Sequence, residues 1–439
     1  LHTASSLNET NLFSHNDPCP QLVIIVKDKK YGLLGYLVID SLVPGKCSGG
    51  IRMAPDISIS EITHLARAMT LKFGFKNSFT GGAKAGIICP QDATEKQKQE
   101  ILKSFGLNLG PILRTIYSPG GDIGIGPKEL KIIKNAAGMD TKIRPATHKA
   151  GYFTAYGVFV SIKTVIRKLG LKCKDCKIAI AGYGNVGRPL ARFLYQAGCK
   201  ILAVSTIKAA IFNEDGLNID SLEALANEYG DRTVQTYENG ENIEKSDLFT
   251  LDVNIIIPGA RPWSINMNNV DKIKANAIVP AANIPVTKEA SEILYKKGII
   301  YIPDFVSTGG GIMGCSLLNN SFEEKDVLNI MDKTFELKIS KLMDLSNDKK
   351  VAIKDLAAQI AQNNFARLRK SKTLSKNKWK YFIAKIKEEK NIVSMLERAT
   401  GRLYKKLQGR NFFLKNILKP GAVAHAYRNA VGDVKYYPE

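Results

Sequence analysis

The stretch "CKIAIAGYGNVGRPLARFLYQAGCKILAVST", residues 176–206, limits what this chain can fold into more than any other. An apolar run meets Gly182, Gly184 and Gly187 in G-x-G-x-x-G spacing, an amphipathic segment follows, and a second apolar run closes the unit. Strand, glycine loop, helix and strand in that order make a dinucleotide site. The first glycine permits the tight turn, the second lets a pyrophosphate approach the backbone, and the third lets the helix lie close on the strand. The helix N-terminus then faces the phosphates. Gly182, Gly184, Asn185, Val186 and Gly187 are therefore candidate cofactor ligands. The second strand normally ends in an acid that binds the adenosine ribose. Here it ends in Ser205, Thr206, Ile207 and Lys208. A neutral or basic pocket tolerates a 2′-phosphate better than one holding a carboxylate, so NADP is expected over NAD.

The alternation extends well beyond this unit. "TAYGVFVSIKTVIRKLG" reads as a helix, and "VNIIIPGA", "AIVPAAN" and "GIIYIPDF" read as further short apolar strands. Such strands alternating with helices imply a parallel sheet covered on both faces. Upstream, "QLVIIVKDKKYGLLGYLVIDS" (21–41) reads as two strands around a turn at Lys29–Tyr31. "SISEITHLARAMTLKFGFKN" (58–77) has Ile62, Leu65, Ala66, Met69 and Phe73 at helical spacing. "GGAKAGIIC" leads out of a turn into a short strand, and helices and turns fill the chain to about residue 150. Helices are expected over 323–370. At 439 residues, two or three domains are expected.

Net charge is +22, and residues 371–439 hold 16 Lys/Arg against 5 Asp/Glu. In this tail Trp379, Tyr381 and Phe382 interleave with lysines. It is read as helical and as either a solvated face, a subunit contact or a polyanion-binding segment. Seven scattered cysteines fit a reducing compartment. Cys173 and Cys176 form an isolated C-x-x-C, read as a surface turn, and no metal site is expected. No apolar run is long enough for a membrane span. A cytoplasmic protein, or one of an organellar matrix, is expected.

Eight short motifs then occur in a fixed order: "GGIRM" (49–53), "AMTLK" (68–72), "GGAKAG" (81–86), "GGDIGIG" (120–126), "TAYGV" (154–158), "GYGNVG" (182–187), "AANIP" (281–285) and "PDFVSTGGG" (303–311). Together they resemble the glutamate/leucine/phenylalanine/valine dehydrogenase family over roughly residues 20–370. The resemblance implies reversible deamination of an L-amino acid to a 2-oxo acid and ammonia with NAD or NADP. It also implies an α/β fold with a cleft between two domains and a homo-oligomer. The expected organisation is an α/β substrate and oligomerisation domain (1–150) and a Rossmann dinucleotide-binding domain (151–318). C-terminal helices (319–370) would brace the first domain, and the basic tail (371–439) would follow.

The site roles follow from the same resemblance. Lys84 activates the water that attacks the iminium carbon, Lys72 holds the substrate α-carboxylate, and Asp122 exchanges protons with the amine. A lysine in a glycine-lined turn is open to close approach, and a desolvated lysine near another cation can serve as a base near neutral pH. Lys72 is expected to be that cation. Thr154 and Asn283 would position the nicotinamide end, with Pro258, Gly259, Ala260 and Ser307 also beside the cofactor. Gly49, Gly50 and Met53 would lie beside the substrate.

The chain departs from the family pattern at the side-chain pocket. Glutamate enzymes carry a lysine where Ser48 stands and a serine where Gly314 stands. Gly120 replaces an alanine and Gly311 a frequent valine, and Ser307 replaces an asparagine. A substrate other than glutamate is expected, in a pocket enlarged at four small positions unless neighbouring atoms fill the space. The alternative is a catalytically silent paralogue that binds nucleotide and uses its basic tail for a partner.

Overall fold

The structure is a computed structural model that describes residues 19–370 apart from 44, 79, 140 and 142–146. The tail over 371–439, with the helix and contacts expected of it, lies outside the described residues. The described chain divides into two compact units.

The first unit holds β1 (Leu22–Asp28), β2 (Leu33–Ile39), β3 (Cys47–Ala54), α1 (Ile59–Phe75), β4 (Gly81–Ile88), α2 (Glu95–Thr115), β5 (Tyr117–Gly121) and α3 (Pro127–Ala136). Its sheet runs β1-β2-β4-β3-β5. β2 is antiparallel to β1 and β4, while β3 is parallel to β4 and β5. The hairpin β1–β2 turns where the sequence predicts it. Neither β3 nor β5 is predicted, because "CSGGIRMA" and "YSPGG" lack the apolar alternation of a half-buried strand. Pairing orders them instead.

β4 has two different faces. Ala83, Ala85 and Ile87 join Leu37, Ile39, Ile51, Phe105 and Ile133 in one apolar cluster. Side chains alternate along a strand, so Gly82, Lys84 and Gly86 share the opposite face. A Cβ on Gly82 would lie 2.1 Å from the Thr70 backbone nitrogen, and one on Gly86 would lie 2.7 Å from Ile62. Both neighbours belong to α1. The glycines on either side of Lys84 therefore let α1 lie flush on the sheet. The sequence places Lys84 where a turn enters a strand. It is instead a mid-strand residue paired with Val38, and the glycine run is a packing requirement.

The second unit holds α4 (Ala150–Lys168), β6 (Lys177–Ala181), α5 (Gly187–Gln196), β7 (Lys200–Ser205), β8 (Ala210–Phe212), α6 (Ile219–Tyr229), α7 (Thr233–Thr236), β9 (Glu241–Ile243), β10 (Ile255–Pro258) and β11 (Ala277–Ile278). It continues with α8 (Lys288–Lys296), β12 (Ile300–Tyr301), α9 (Asp304–Ser307), α10 (Gly310–Asn319) and α11 (Glu324–Lys349). α12 (Ile353–Lys370) follows, and from Ala361 onward it belongs to the first unit. There Asn364 Nδ2 donates to the Gly74 carbonyl at 3.2 Å.

The second sheet runs β12-β11-β10-β6-β7-β8-β9. The five strands from β12 to β7 are parallel, as the helix–strand alternation predicts. β8 and β9 add an antiparallel edge that the sequence does not reveal. β6 lies between β10 and β7, so the winding direction reverses there. In open α/β sheets, ligands bind at the carboxyl ends of the strands at such a point. Among the described residues no helix is long and apolar enough to cross a membrane.

The flush packing of α1 makes a definite prediction. Gly82→Ala is expected to lower unfolding free energy by about 2–3 kcal/mol, the usual cost of overpacking a tight contact. A urea titration that finds no loss would contradict this account of the glycine run.

Candidate active site

Lys84 and Asp122 meet in the first unit. Lys84 Nζ lies 2.6 Å from Asp122 Oδ2, with the lysine side chain 3% exposed and the aspartate side chain 18% exposed. Asp122 directly follows β5 and is held by a tight turn, in which the Ile125 amide donates to the Asp122 carbonyl at 2.9 Å. Gly124 takes a φ of 73° there, a conformation suited to glycine. The Met53 amide donates to the Ile123 carbonyl at 2.8 Å, tying the turn to β3.

Two further charged groups complete the arrangement, and neither is among the residues singled out from sequence. Arg52 Nε reaches the same Asp122 Oδ2 at 3.0 Å, and its Nη1 is ion-paired with Glu61 on α1. Arg52 lies inside the "GGIRM" motif, but without β3 as a strand nothing in the sequence aims it at Asp122.

The electrostatics follow from this packing. Burial pushes the Lys84 ammonium below its ordinary value, Asp122 opposes that shift, and the Arg52 guanidinium adds to it. Burial alone would raise the Asp122 carboxyl. Lys84 and then Arg52 overcome this and hold it well below the usual carboxylate range. Arg52 is thus a cation acting on Lys84, one that the sequence does not point to. Lys72 is itself buried, near the C-terminal end of α1.

Glycine is required beside this pair. A Cβ on Gly50 would lie 3.1 Å from Lys84 Nζ and 3.0 Å from Asp122 Cβ. One on Gly49 would fall 1.6 Å from the Ala83 carbonyl oxygen. The Tyr117 hydroxyl donates to the Gly49 carbonyl at 2.8 Å and fixes this part of β3 from β5. Ser48 Oγ donates to the Ser118 carbonyl at 2.9 Å. At Gly120 a Cβ would meet nothing closer than 3.9 Å, so there is room at that position.

In the second unit the glycine loop joins β6 to α5. Gly182 has a φ of 121°, and a Cβ there would lie 2.9 Å from the Gly259 carbonyl. A Cβ on Gly187 would sit 1.8 Å from the Gly182 oxygen, whereas Gly184 is exposed with nothing within 4 Å. One glycine thus makes the turn, one packs the helix and one leaves its outer side open, which suits a dinucleotide pyrophosphate. Asn185 is exposed and Val186 half-buried beside it. Gly259, after Pro258 at the end of β10 and before Ala260, donates its amide to the Ala181 carbonyl at 2.7 Å.

Ser205 and Thr206 are buried at the end of β7. Thr206 Oγ1 donates to the Asp231 carbonyl at 2.7 Å and accepts from the Lys208 amide at 3.2 Å, so this hydroxyl shapes the turn. Lys208 is exposed. Lys245, which the sequence reading does not single out, donates to the Ile207 carbonyl at 3.0 Å.

The expected pocket enlargement is absent at two of its four positions. A Cβ on Gly314 would lie 2.2 Å from Phe153 Cγ, and one on Gly311 would lie 2.4 Å from Thr154 Oγ1. These glycines let α10 seat on α4, and the fully buried Phe153 ring fills the space. Thr154 Oγ1 donates within α4 to the Ala150 carbonyl at 2.8 Å. Ser307 is fully buried and donates to the Pro280 carbonyl at 2.7 Å, while Asp304 Oδ2 accepts from the Ile284 amide at 3.0 Å. α9 thereby anchors both ends of the loop carrying Asn283.

Comparison with known proteins agrees with these features. A model described as Glu/Leu/Phe/Val dehydrogenase, dimerisation domain, matches residues 20–139. One described as Glutamate/Leucine/Phenylalanine/Valine dehydrogenase matches residues 147–376. A glutamate dehydrogenase of Thermotoga maritima is 32% identical over 297 residues, 63% of this chain and 70% of that protein. The NAD-specific glutamate dehydrogenase of Staphylococcus aureus is 30% identical over 349 residues, 74% of this chain and 83% of that one. A solved hetero-hexameric glutamate dehydrogenase from Thermus thermophilus shares the fold with a TM-score of 0.70 at 19% identity, covering 81% of this chain and 90% of its own. These relatives do not favour the silent nucleotide-binding alternative.

Asp122 yields a prediction about acid stability. Its folded-state pKa lies below its unfolded one, so its contribution is complete above the ordinary aspartate value of about 4 and is lost as pH falls further. Asp122→Asn is expected to make stability less steeply dependent on pH below about 4. Chemical denaturation of both proteins across that range checks it, and parallel curves would refute it.

Proposed function

The chain belongs to the glutamate/leucine/phenylalanine/valine dehydrogenase family, oxidoreductases acting on the CH–NH2 group of amino acids with NAD(P), and we propose that its substrate is an L-amino acid with an uncharged side chain. The observation that carries the chemical reading is the buried Lys84–Asp122 pair beside Arg52. Lys72 holds the α-carboxylate. Asp122 takes a proton from the substrate ammonium and returns one to the departing ammonia. When bound on the Gly182–Gly187 loop, the nicotinamide cofactor supplies the hydride acceptor. Lys84 accepts the proton of the water that adds to the iminium carbon. Its depressed proton affinity supports this part, since a base must be unprotonated near its working pH. Thr154 and Asn283 orient the cofactor's nicotinamide end. The Thermus thermophilus hexamer supports an oligomeric assembly for this chain as well.

Two observations support an uncharged side chain. Ser48 offers a hydroxyl committed to Ser118 and no cation. Phe153 occupies the space that a side chain at position 314 would need. A substrate carboxylate buried without a partner costs several kcal/mol. Reversible deamination is tested by a cofactor-linked absorbance assay across the amino acids and across 2-oxo acids with ammonia. Lys84→Ala is expected to lower turnover by about 10²–10⁴-fold, the range of a lost general base. A loss of only a few-fold sinks the role given to Lys84. Glutamate emerging as the best substrate sinks the uncharged side chain.

We propose NADP as the preferred cofactor. Lys208 is exposed and Lys245 holds the same turn, and β7 ends without a carboxylate. Lys208→Glu is expected to cut kcat/KM with NADP at least about tenfold while sparing NAD, because a carboxylate repels the 2′-phosphate. A wild-type preference for NAD overturns the proposal.

A further inference from the structure

We infer that Arg52 is a positioning residue for this reaction: gripped by Glu61, its guanidinium fixes Asp122 and is the permanent positive charge against which Lys84 releases its proton. The inference rests on the reading of Lys84 as the base.

The geometry is a linear chain of four charges, Glu61–Arg52–Asp122–Lys84. Glu61, in the first turn of α1, pairs with Arg52 Nη1. Arg52 Nε and Lys84 Nζ then share Asp122 Oδ2, at 3.0 and 2.6 Å. Arg52 and Lys84 are buried, with side chains 4% and 3% exposed. Glu61 is oriented in turn by its amide, which donates to Ser58 Oγ at 3.1 Å. A guanidinium does not lose its proton under these conditions. Only a fork donor can hold Asp122 through one nitrogen and Glu61 through another.

The charge count gives the consequence. With Lys84 protonated, two cations face two carboxylates and the sum is zero. Deprotonation leaves a single negative charge. Without Arg52 the same step would take the group from one negative charge to two, in a buried site where like charges repel strongly. Lys84 would then keep its proton. Without the Glu61 charge the step would take the group from one positive charge to zero, and Lys84 would lose its proton more readily. The two ends of one ion pair thus act on Lys84 in opposite directions.

Other titratable groups lie on the elements that carry this network. Cys47 on β3 and Tyr117 on β5 are pushed up by burial, the thiol to about 12 and the phenol well above its ordinary value, so both stay neutral near neutral pH. On α1 lie Lys72, His64, whose Nδ1 is 3.0 Å from the Ser60 carbonyl, and Arg67, which pairs with Asp40 at 3.4 Å. His64 lies one helical turn from Glu61 on the same helix, so it requires a control.

The test is competitive acetylation of the full-length protein with trace acetic anhydride across pH, read at Lys84 by peptide mass spectrometry. Arg52→Met is expected to raise the pH of half-maximal reactivity by about one unit or more, and Glu61→Gln to lower it by a similar amount. Arg52→Lys keeps the charge and loses the fork, so the half-point returns close to wild type while turnover stays depressed. His64→Gln leaves the half-point in place. An ion pair that merely braces α1 against β3 would lower the melting temperature in both variants without splitting the half-points. A shift in the same direction, no shift, or a shift produced by His64→Gln overturns the inference. If Arg52→Met does not fold, Glu61→Gln decides alone, because an unchanged or raised half-point is already contrary. Lys84→Ala separates the two readings. Persisting turnover there defeats the assignment of the base, whereas abolished turnover with unsplit half-points defeats the role of Arg52.

Discussion

An ammonium buried in the middle of a β-strand must be compensated, or burial will strip its proton. At Lys84 the compensation is a single carboxylate oxygen, Asp122 Oδ2, at 2.6 Å. Much of the first unit follows from that requirement. β5 has to end where Asp122 can reach β4. β3 has to run between them without side chains at Gly49 and Gly50. α1 has to close the face above without displacing the lysine, and the glycines at 82 and 86 allow it. An unpaired charge of this depth would destabilise the fold by several kcal/mol. The pair is therefore a structural condition of the first unit, whatever chemistry it supports.

The second unit meets a milder requirement. Its glycine loop must be narrow on the inside and open on the outside. Gly187 against the Gly182 carbonyl meets the first need, and Gly184 meets the second. The neighbouring strand end at Pro258–Ala260 closes on the loop through the Gly259 amide. Thus glycine serves different ends in the first sheet and in the β6–α5 loop. In the first it admits a helix and makes room for a charge pair. In the second it shapes a surface for an anion.

Legibility in the sequence tracked periodicity. β1, β2, α1 and the parallel strands β6, β7, β10, β11 and β12 carry apolar runs or helical spacing and were readable. β3 and β5 were not, because their glycines, serine and proline say nothing of strand until β4 is placed beside them. The same gap hid Arg52 and Glu61, since a residue cannot be aimed from a strand that has not been recognised. The motif order was enough to identify the family and to single out Lys72, Lys84 and Asp122. At Gly311 and Gly314 small residues leave open whether there is space, and the fold closes it. A missing side chain marks a void only if no neighbour moves in, and Phe153 had.

The seating of α10 on α4 constrains how this chain could change. Gly310, Gly311 and Gly314 press against the Phe153 carbonyl, the Thr154 hydroxyl and the Phe153 ring. A serine at 314 collides with an aromatic ring, whereas a smaller residue at 153 leaves only a cavity. Each single step is harmful, and the two together are complementary. The order of mutations is then not free: position 153 has to shrink before position 314 can grow. Any drift along this route passes through a destabilised intermediate, and a protein with little stability to spare would be held at the pair of residues it has.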